Sequence, residues 1–512
     1  MIEQLDTSGA SLSPSQDKGD HGVFDQLEDA VAAADAAYKK NHTIALRERA
    51  VKVIRRAART NARRLAEMAV QEAGMGRIED KVKKNLLVAD RTPGPEILAP
   101  SAISGDTGLT LIENAPWGVI ASVTPSTNPA ATIINNAISM ISGGNAVVFG
   151  PHPAAKRITQ ETIKMLNKAI VEETGINNLL TCVKEPSIEA AQQLFTFPGI
   201  NLLVVTGGEA VVKAARDITN KRLIAAGAGN PPVLVDETAD LKRAARSIYD
   251  GASFDNNIGC CDEKEIIAVE SVADELKQEL THCGAVQVNR DQAEAIAREV
   301  LLDYPGPNAR PNPKWVGRDA CELASAGGFS VPESCRLLMV DVGRETDYIF
   351  ARMEQMMPII PLLRARDFDE ALDWAMLLEG GLRHTAGMHS RNIEYMDAMA
   401  TRVNTSLFVK NGPHVAGLGA GGEGWTSMTI FLHQPEKGSP MPAPLCALDV
   451  APWWAVSGSF NREKDDPFLG TSIRTSGSGG KAAESDTPHF RFRPFACGHR
   501  SGYRGRGGHG LK

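Results

Sequence analysis

The sequence predicts an α/β fold built on open, parallel sheets. Three observations lead there. Short apolar runs such as GVIASV, NAVVFG and NLLTCV alternate with stretches of helical length from Gly118 onward, the signature of repeated β-α-β units. Several helical stretches close on glycine, as in MISGG and AIVEETG, the residue suited to a left-handed helix stop. The chain has 512 residues, 43% hydrophobic and 23% charged, the balance of a globular protein with two or three packed units.

The polar stretch over residues 1–21, MIEQLDTSGASLSPSQDKGDH, is expected to be disordered. From Val23 to about Leu87 apolar residues recur at three- and four-residue spacing, which predicts helices, with Gly74 as a stop. The Pro/Gly-rich RTPGPEILAPSAISGD follows, then TGLTLIENAPWG, which reads as an extended excursion. The first αβ block comprises GVIASV, NAVVFG, NLLTCV, INLLVVT and PPVLV as strands. Between them lie the helices NPAATIINNAISMIS, AAKRITQETIKMLNKAIVEET, SIEAAQQLF and EAVVKAARDIT. A second block, from about Glu237 to Ile430, contains EIIAVE, SVADELKQEL, RLLMVDV, PIIPLL, FDEALDWAML, HTAGMHS and SLFVKNG. Ligands of such sheets bind beyond the carboxyl ends of the strands.

The net charge of −7 speaks against nucleic acid as a main partner. The eight cysteines include no CxxC pair, so neither a disulfide framework nor a metal site is expected, and a reducing, cytoplasmic compartment is. No apolar run reaches the roughly 18 residues of a membrane span, and no secretory signal is seen.

Five loops carry candidate chemistry. In VVTGGEAVVKAA, Thr206, Gly207 and Gly208 stand between strand and helix, where free amides attract phosphate. An ordinary tight turn is the plainer reading, since the usual dinucleotide and P-loop fingerprints are absent. VTPSTNPA holds Thr124, Pro125, Ser126 and Asn128. The Asn128 amide suits an oxyanion donor, or a helix cap before proline. VVFGPHPAAK holds His152 and Pro153, and a lone histidine is more often structural. EQMMPIIP holds Glu354, which alone reads as a solvated carboxylate, and Met356 and Met357, which read as core or pocket wall. ASFDNNIGCCDEKE holds adjacent Cys260 and Cys261, residues that are mostly small buried hydrophobes in such proteins.

Taken in order, TPSTNP, GPHP, TGG, AAGAGNPP, ASFDNNIGCC, EQMMP, SLFVKNGP and GLGAGGEG resemble the aldehyde dehydrogenase superfamily, across residues 22–430. The narrower resemblance is to the CoA-acylating propionaldehyde and acetaldehyde dehydrogenases of bacterial microcompartments. It implies a Rossmann-type NAD-binding domain over residues 22–98 and 115–236, an oligomerisation excursion over 99–114 and a catalytic domain over 237–430. Cys260 falls on the family's nucleophile, Cys261 on a structural neighbour and Asn128 on the oxyanion donor. Thr124, Pro125, Ser126, His152, Pro153, Thr206, Gly207 and Gly208 fall on cofactor-binding positions, and Glu354 on the carboxylate that holds the nicotinamide ribose. Ala226 stands where hydrolytic members carry a water-activating glutamate. The resemblance therefore implies NAD as oxidant, CoA as acceptor and a Cys260 thioester between them. The rivals are a hydrolytic dehydrogenase, for which no other base near Cys260 is legible, and an inactive nucleotide-binding or scaffold protein. A homo-oligomer and a microcompartment shell are implied partners, although residues 1–21 show no convincing targeting helix.

The resemblance stops after GLGAGGEGWTSMTI, where FLHQPEKGSPMPAPLCALDVAPWW replaces the family's TPTGEGVTNARTF. Reading the third base of each codon with the first two of the next, Gln434–Pro435 permits Thr, Pro435–Glu436 Gly, Glu436–Lys437 Glu and Lys437–Gly438 Gly. The shifted frame can spell TGEGVTNARTF. Residues from about Phe431 are thus expected to be an out-of-frame, disordered tail without the family's C-terminal strand. Its HRSGYRGRGGHG resembles an RNA-binding segment, a composition that a shifted GC-rich frame produces by accident. Sequencing the encoding DNA is expected to show TGEGVTNARTF in an alternate frame after the Ile430 codon; its absence from every frame overturns the expectation.

Overall fold

The computed structural model describes residues 19–429 and the strand Ser472–Thr475. The rest of residues 1–21 and of the tail from Phe431, with the expectations made for them, lies outside the described residues. Within the N-terminal stretch, Gly19–Gly22 are placed. Asp20 pairs with Lys164, and Asn167 donates to the His21 carbonyl at 2.8 Å.

Strand β1 (Val23–Phe24) leads into helices α1 (Leu27–Tyr38), α2 (Ile44–Ala73) and α3 (Ile78–Arg91). Thr43 caps α2 by accepting from the Leu46 amide at 3.3 Å, and α2 stops at the expected Gly74, which takes φ 67°. Its buried face (Ala50, Val51, Ile54, Ala58, Leu65, Ala69) follows helical spacing. The expected excursion is the antiparallel hairpin β2 (Ser101–Gly105) and β3 (Gly108–Glu113). Ser472–Thr475 pairs antiparallel with the far edge of β3.

The first parallel sheet uses β4 (Val119–Val123), β5 (Ala146–Gly150), β6 (Leu180–Val183), β7 (Ile200–Thr206) and β8 (Arg222–Ala226). Its helices are α4 (Pro129–Ser142), α5 (Lys156–Thr174), α6 (Ile188–Thr196) and α7 (Glu209–Ile218). The strand order is β1-β6-β5-β4-β7-β8. The chain runs outward from β4 to β6, then returns to β4's other side at β7. That reversal opens a crevice at the carboxyl ends of β4, β5 and β7, the Rossmann-type arrangement for ligands.

The second sheet uses β9 (Pro232–Val235), β10 (Glu265–Val269) and β11 (Val286–Val288), then, after a small antiparallel pair β12 (Leu301–Leu302) and β13 (Arg310–Pro311), β14 (Leu338–Gly343), β15 (Ile359–Ala365), β16 (Thr385–His389) and β17 (Leu407–Lys410). Helices α8 (Leu241–Ala252), α9 (Glu270–Cys283), α10 (Arg290–Val300), α11 (Ala320–Ala326), α12 (Phe368–Glu379) and α13 (Ile393–Val403) accompany it. Its order is β11-β14-β15-β10-β9-β16-β17.

One expected boundary moves. PPVLV, assigned to the first sheet and to a domain ending at residue 236, is β9 and pairs with β10 and β16 in the second sheet. The first sheet ends instead on β8, which the sequence did not reveal as a strand. A four-residue buried apolar run fits the centre of either sheet equally well; only its hydrogen-bonding partners distinguish them. Leu234 and Ile267 enter the core on one face of the second sheet. Val233, Val235, Ile266 and Ala268 enter the core on the other, the two-residue alternation of strands. Among the described residues no helix is long and apolar enough to cross a membrane.

Candidate active site

The site is organised by the turn that follows α8. Asp255, Asn256 and Asn257 take φ values of 48°, 57° and 62°, a left-handed run that asparagine and aspartate tolerate best among L-residues. Each side chain is tied down. Asp255 Oδ1 accepts from the Arg77 amide at 2.6 Å, and its Oδ2 accepts from Lys81 at 3.0 Å and Lys84 at 2.8 Å. Asn256 donates to the Gly317 carbonyl at 2.9 Å and to Asp319 at 2.8 Å. Asn257 donates to the Ala252 and Glu263 carbonyls, both at 2.9 Å.

Lys264, fully buried, donates to Asn257 Oδ1 at 2.6 Å, the Asn257 carbonyl at 2.7 Å and the Gly259 carbonyl at 3.0 Å. Three bonds use every proton of its ammonium group. Asp262 closes the turn by accepting from the Gly259 amide at 2.8 Å. A Cβ on Gly259 would stand 2.5 Å from that carboxylate, so the position needs glycine. Cys260 projects from this turn and is partly exposed, whereas Cys261 is 3% exposed and packs with Leu407, Val415 and Leu418.

Burial pushes the Cys260 thiol up to about 12, with the Glu354 and Asp262 charges adding to the rise and Lys264 and Lys84 opposing it. Glu354 is not a solvated carboxylate. It is partly buried, burial raises its pKa, and its Oε1 accepts from the Gly229 amide at 3.1 Å. A Cβ on Gly229 would lie 2.6 Å from the Cys260 carbonyl oxygen and 2.8 Å from the His384 ring. Gly229 thus lets the Cys260 loop, His384 and Glu354 meet around one backbone unit.

Asn128 sits at the start of α4 but makes no side-chain cap bond, so the capping alternative is not what the structure contains. Its Oδ1 instead accepts from Lys84 Nζ at 2.9 Å. The remaining candidates gather at the carboxyl ends of the first sheet. Thr124 is 2% exposed and its buried hydroxyl has no partner. Pro125 and Ser126 are partly exposed. His152 and Pro153 are exposed, and His152 Nδ1 accepts from the Ala154 amide at 3.1 Å, capping its own turn. Thr206 Oγ1 meets Thr429 Oγ1 at 2.9 Å, Gly207 donates to the Ala226 carbonyl at 3.0 Å, and a Cβ on Gly208 would meet nothing within 4 Å. Among the described residues no direct hydrogen bond joins these residues to the Cys260 turn; Lys81 and Lys84 bridge the Thr127–Asn128 end of the first loop to Asp255.

The aldehyde dehydrogenase family model matches residues 19–295. The chain is 66% identical over 418 residues to an acetaldehyde dehydrogenase (acetylating) of Bilophila wadsworthia, covering 81% of this chain and 86% of the relative. The chain belongs to the aldehyde dehydrogenase family. It also superposes on a Rhodopseudomonas palustris propionaldehyde dehydrogenase solved with bound CoA and an acylated cysteine (TM-score 0.78, 41% identity, covering 84% of this chain and 96% of that one). A third match is a propionaldehyde dehydrogenase from the Clostridium phytofermentans fucose utilisation bacterial microcompartment (TM-score 0.79, 37% identity, covering 89% and 98%).

As an aldehyde dehydrogenase the protein has two further notable features. Ala226 ends β8 and brings a buried methyl group, not a carboxylate, to the carboxyl end of that strand. The sequence also missed His384, hidden in the apolar stretch HTAGMHS just before β16. His384 is fully buried, its Nε2 has no partner, and burial pushes it down to about 3. Lys81 and Lys84 were missed as well, because KVKKN reads as a solvated helix face. Among the described residues no group of three or more His, Cys, Asp or Glu could hold a metal ion.

With its thiol held near 12, Cys260 in the cofactor-free enzyme is expected to react with iodoacetamide at least about tenfold more slowly near neutral pH than a free thiol. The rate is expected to rise through alkaline pH, because thiolate accumulates as pH rises. A flat pH profile contradicts this.

Proposed function

We propose that this aldehyde dehydrogenase oxidises acetaldehyde to acetyl-CoA through a thioester on Cys260. Cys260 Sγ releases its proton to solvent and bonds to the carbonyl carbon, and the Asn128 amide with the Cys260 backbone N–H receives the oxyanion. NAD, when bound, is the oxidant that takes the hydride as the carbon–hydrogen bond breaks, leaving the thioester. The CoA sulfur then bonds to the acyl carbon, and Cys260 leaves as thiolate and takes up the proton that the CoA thiol gives up. The observation that carries this reading is the 66% identity to an acetylating relative over most of both chains, combined with a partly exposed Cys260 on a turn bound to the Asn128 loop through Lys84 and Asp255.

The residues at the first sheet suit the cofactor. The unpartnered Thr124 hydroxyl and the open space over Gly208 at the start of α7 offer a donor and a close backbone approach for a pyrophosphate. Ser126, Thr206, Gly207, His152 and Pro153 would line the rest, and Glu354 would hold the ribose.

Choice of thiol over water has a physical basis beyond Ala226. The sequence showed no other base near Cys260, but the structure has Glu354 and His384 around Gly229. His384 at about 3 lies about 5 units below a free thiol and about 12 below water. So weak a base is far worse matched to water than to CoA, and Glu354, tied to the Gly229 amide, is the carboxylate given above to the nicotinamide ribose rather than to water. The preference for two carbons follows the acetylating relative at 66% identity over the propionaldehyde enzymes at 41% and 37%.

The β2–β3 hairpin bears exposed Ile103, Leu109 and Leu111, and we assign it to subunit assembly. The microcompartment match supports residence in such a shell.

Incubation with acetaldehyde, NAD and CoA is expected to yield acetyl-CoA and NADH in equal amounts. Cys260→Ala is expected to lose at least about a thousandfold in kcat. Free acetate with CoA unconsumed favours the hydrolytic rival, and equal rates for wild type and Cys260→Ala favour the inactive scaffold. A higher kcat/KM for propionaldehyde than for acetaldehyde overturns the substrate assignment alone.

A further inference from the structure

We propose that Lys84, anchored on Asp255, is a positioning residue that sets which face of the Asn128 amide meets the reacting carbonyl. The inference rests on the oxyanion role given to Asn128 above. An asparagine amide presents a donor on one side and an acceptor on the other, and the two faces are nearly equal in shape. Lysine carries donors only. Lys84 Nζ, 2.9 Å from Asn128, therefore binds the oxygen and leaves Nδ2, the donor, to face elsewhere. Among the described residues its one partner is a long contact to Thr127 Oγ1 at 3.3 Å. With Lys84 gone the amide can turn over, and its oxygen then repels the charge it should stabilise.

The contact is not a by-product of helix capping, because the Asn128 side chain makes no cap bond. Nor is it a flexible surface pairing, since Lys84 is 6% exposed and Asp255 fully buried. The neighbouring Lys81 donates to the Thr127 carbonyl at 2.9 Å and to Asp255 at 3.0 Å, holding the backbone of the same loop. Asp255 in turn lies in the left-handed run leading to Cys260, and its own amide donates to Asp80 at 3.1 Å. The two lysines of α3 therefore bind the oxyanion loop of the first sheet to the nucleophile turn of the second through one carboxylate oxygen.

A double-mutant cycle on the full chain tests this, with Asn128→Ala, Lys84→Met and the double variant assayed for NADH formation. Asn128→Ala is expected to lower kcat about a hundredfold. Lys84→Met is expected to lower it at least about tenfold, with KM for NAD within about threefold of wild type and a fall in the Cys260 alkylation rate clearly smaller than the fall in kcat, since Lys84 also favours the thiolate. In the Asn128→Ala background, Lys84→Met is expected to add less than about twofold. Losses that multiply in the double variant overturn the positioning role while leaving the oxyanion reading intact. An alkylation rate that falls in step with kcat also overturns it, by showing that the lysine acts on the sulfur. A wild-type kcat in Asn128→Ala overturns the oxyanion reading and this proposal together. If Lys84→Met does not fold, Lys84→Arg keeps the buried cation but displaces the amide, and the same cycle applies to it.

Discussion

The site depends on a run of left-handed backbone. Asp255, Asn256 and Asn257 each hold a conformation that costs an L-residue about 1–2 kcal/mol. The bonds from Asn257 to the Ala252 and Glu263 carbonyls offset only part of that cost. The rest of the compensation comes from buried charge: Lys264 on one side and the Lys81–Lys84 pair on the other. Removing one partner of such a network leaves a buried ion without its counterpart, which is far costlier than never having had the pair. The turn therefore holds one shape, and Cys260 projects from it in one direction.

The two sheets convert that local rigidity into a site. The first sheet reverses direction at β4 and β7 and presents its loops at one end. The second sheet contributes β9 and β10 as adjacent strands, which puts the Gly229 segment before β9 beside the cysteine turn before β10. Gly229 is the point of closest approach. Any side chain there would separate the Cys260 carbonyl from His384.

The electrostatics of this pocket favour restraint. Burial holds Cys260 as a thiol and keeps His384 neutral. Asp262 and Glu354 oppose thiolate formation, whereas Lys84 and Lys264 favour it. The two lysines and the two carboxylates thus pull the Cys260 thiol in opposite directions.

Much of the fold was legible from periodicity and punctuation. Gly74 and Gly175 stop their helices in the left-handed conformation, and the alternating apolar runs became parallel strands. The ordered motifs pointed to the family and to Cys260, because chemistry at a strand end leaves short, unusual residue strings. The assignments that needed distance were different. PPVLV joined the second sheet, Asn128 gave up its cap for Lys84, and Glu354 turned inward to Gly229. KVKKN and HTAGMHS kept the buried Lys81, Lys84 and His384 hidden within ordinary patterns. The sequence by itself determined most helices and strands, which follow from local spacing and punctuation, and its motif order marked the family and Cys260 as the candidate nucleophile. Only the tertiary structure decided which lysine faces which amide and which carboxylate is buried, because those contacts join residues as far apart as Lys84 and Asp255, and burial is a property of the packed whole.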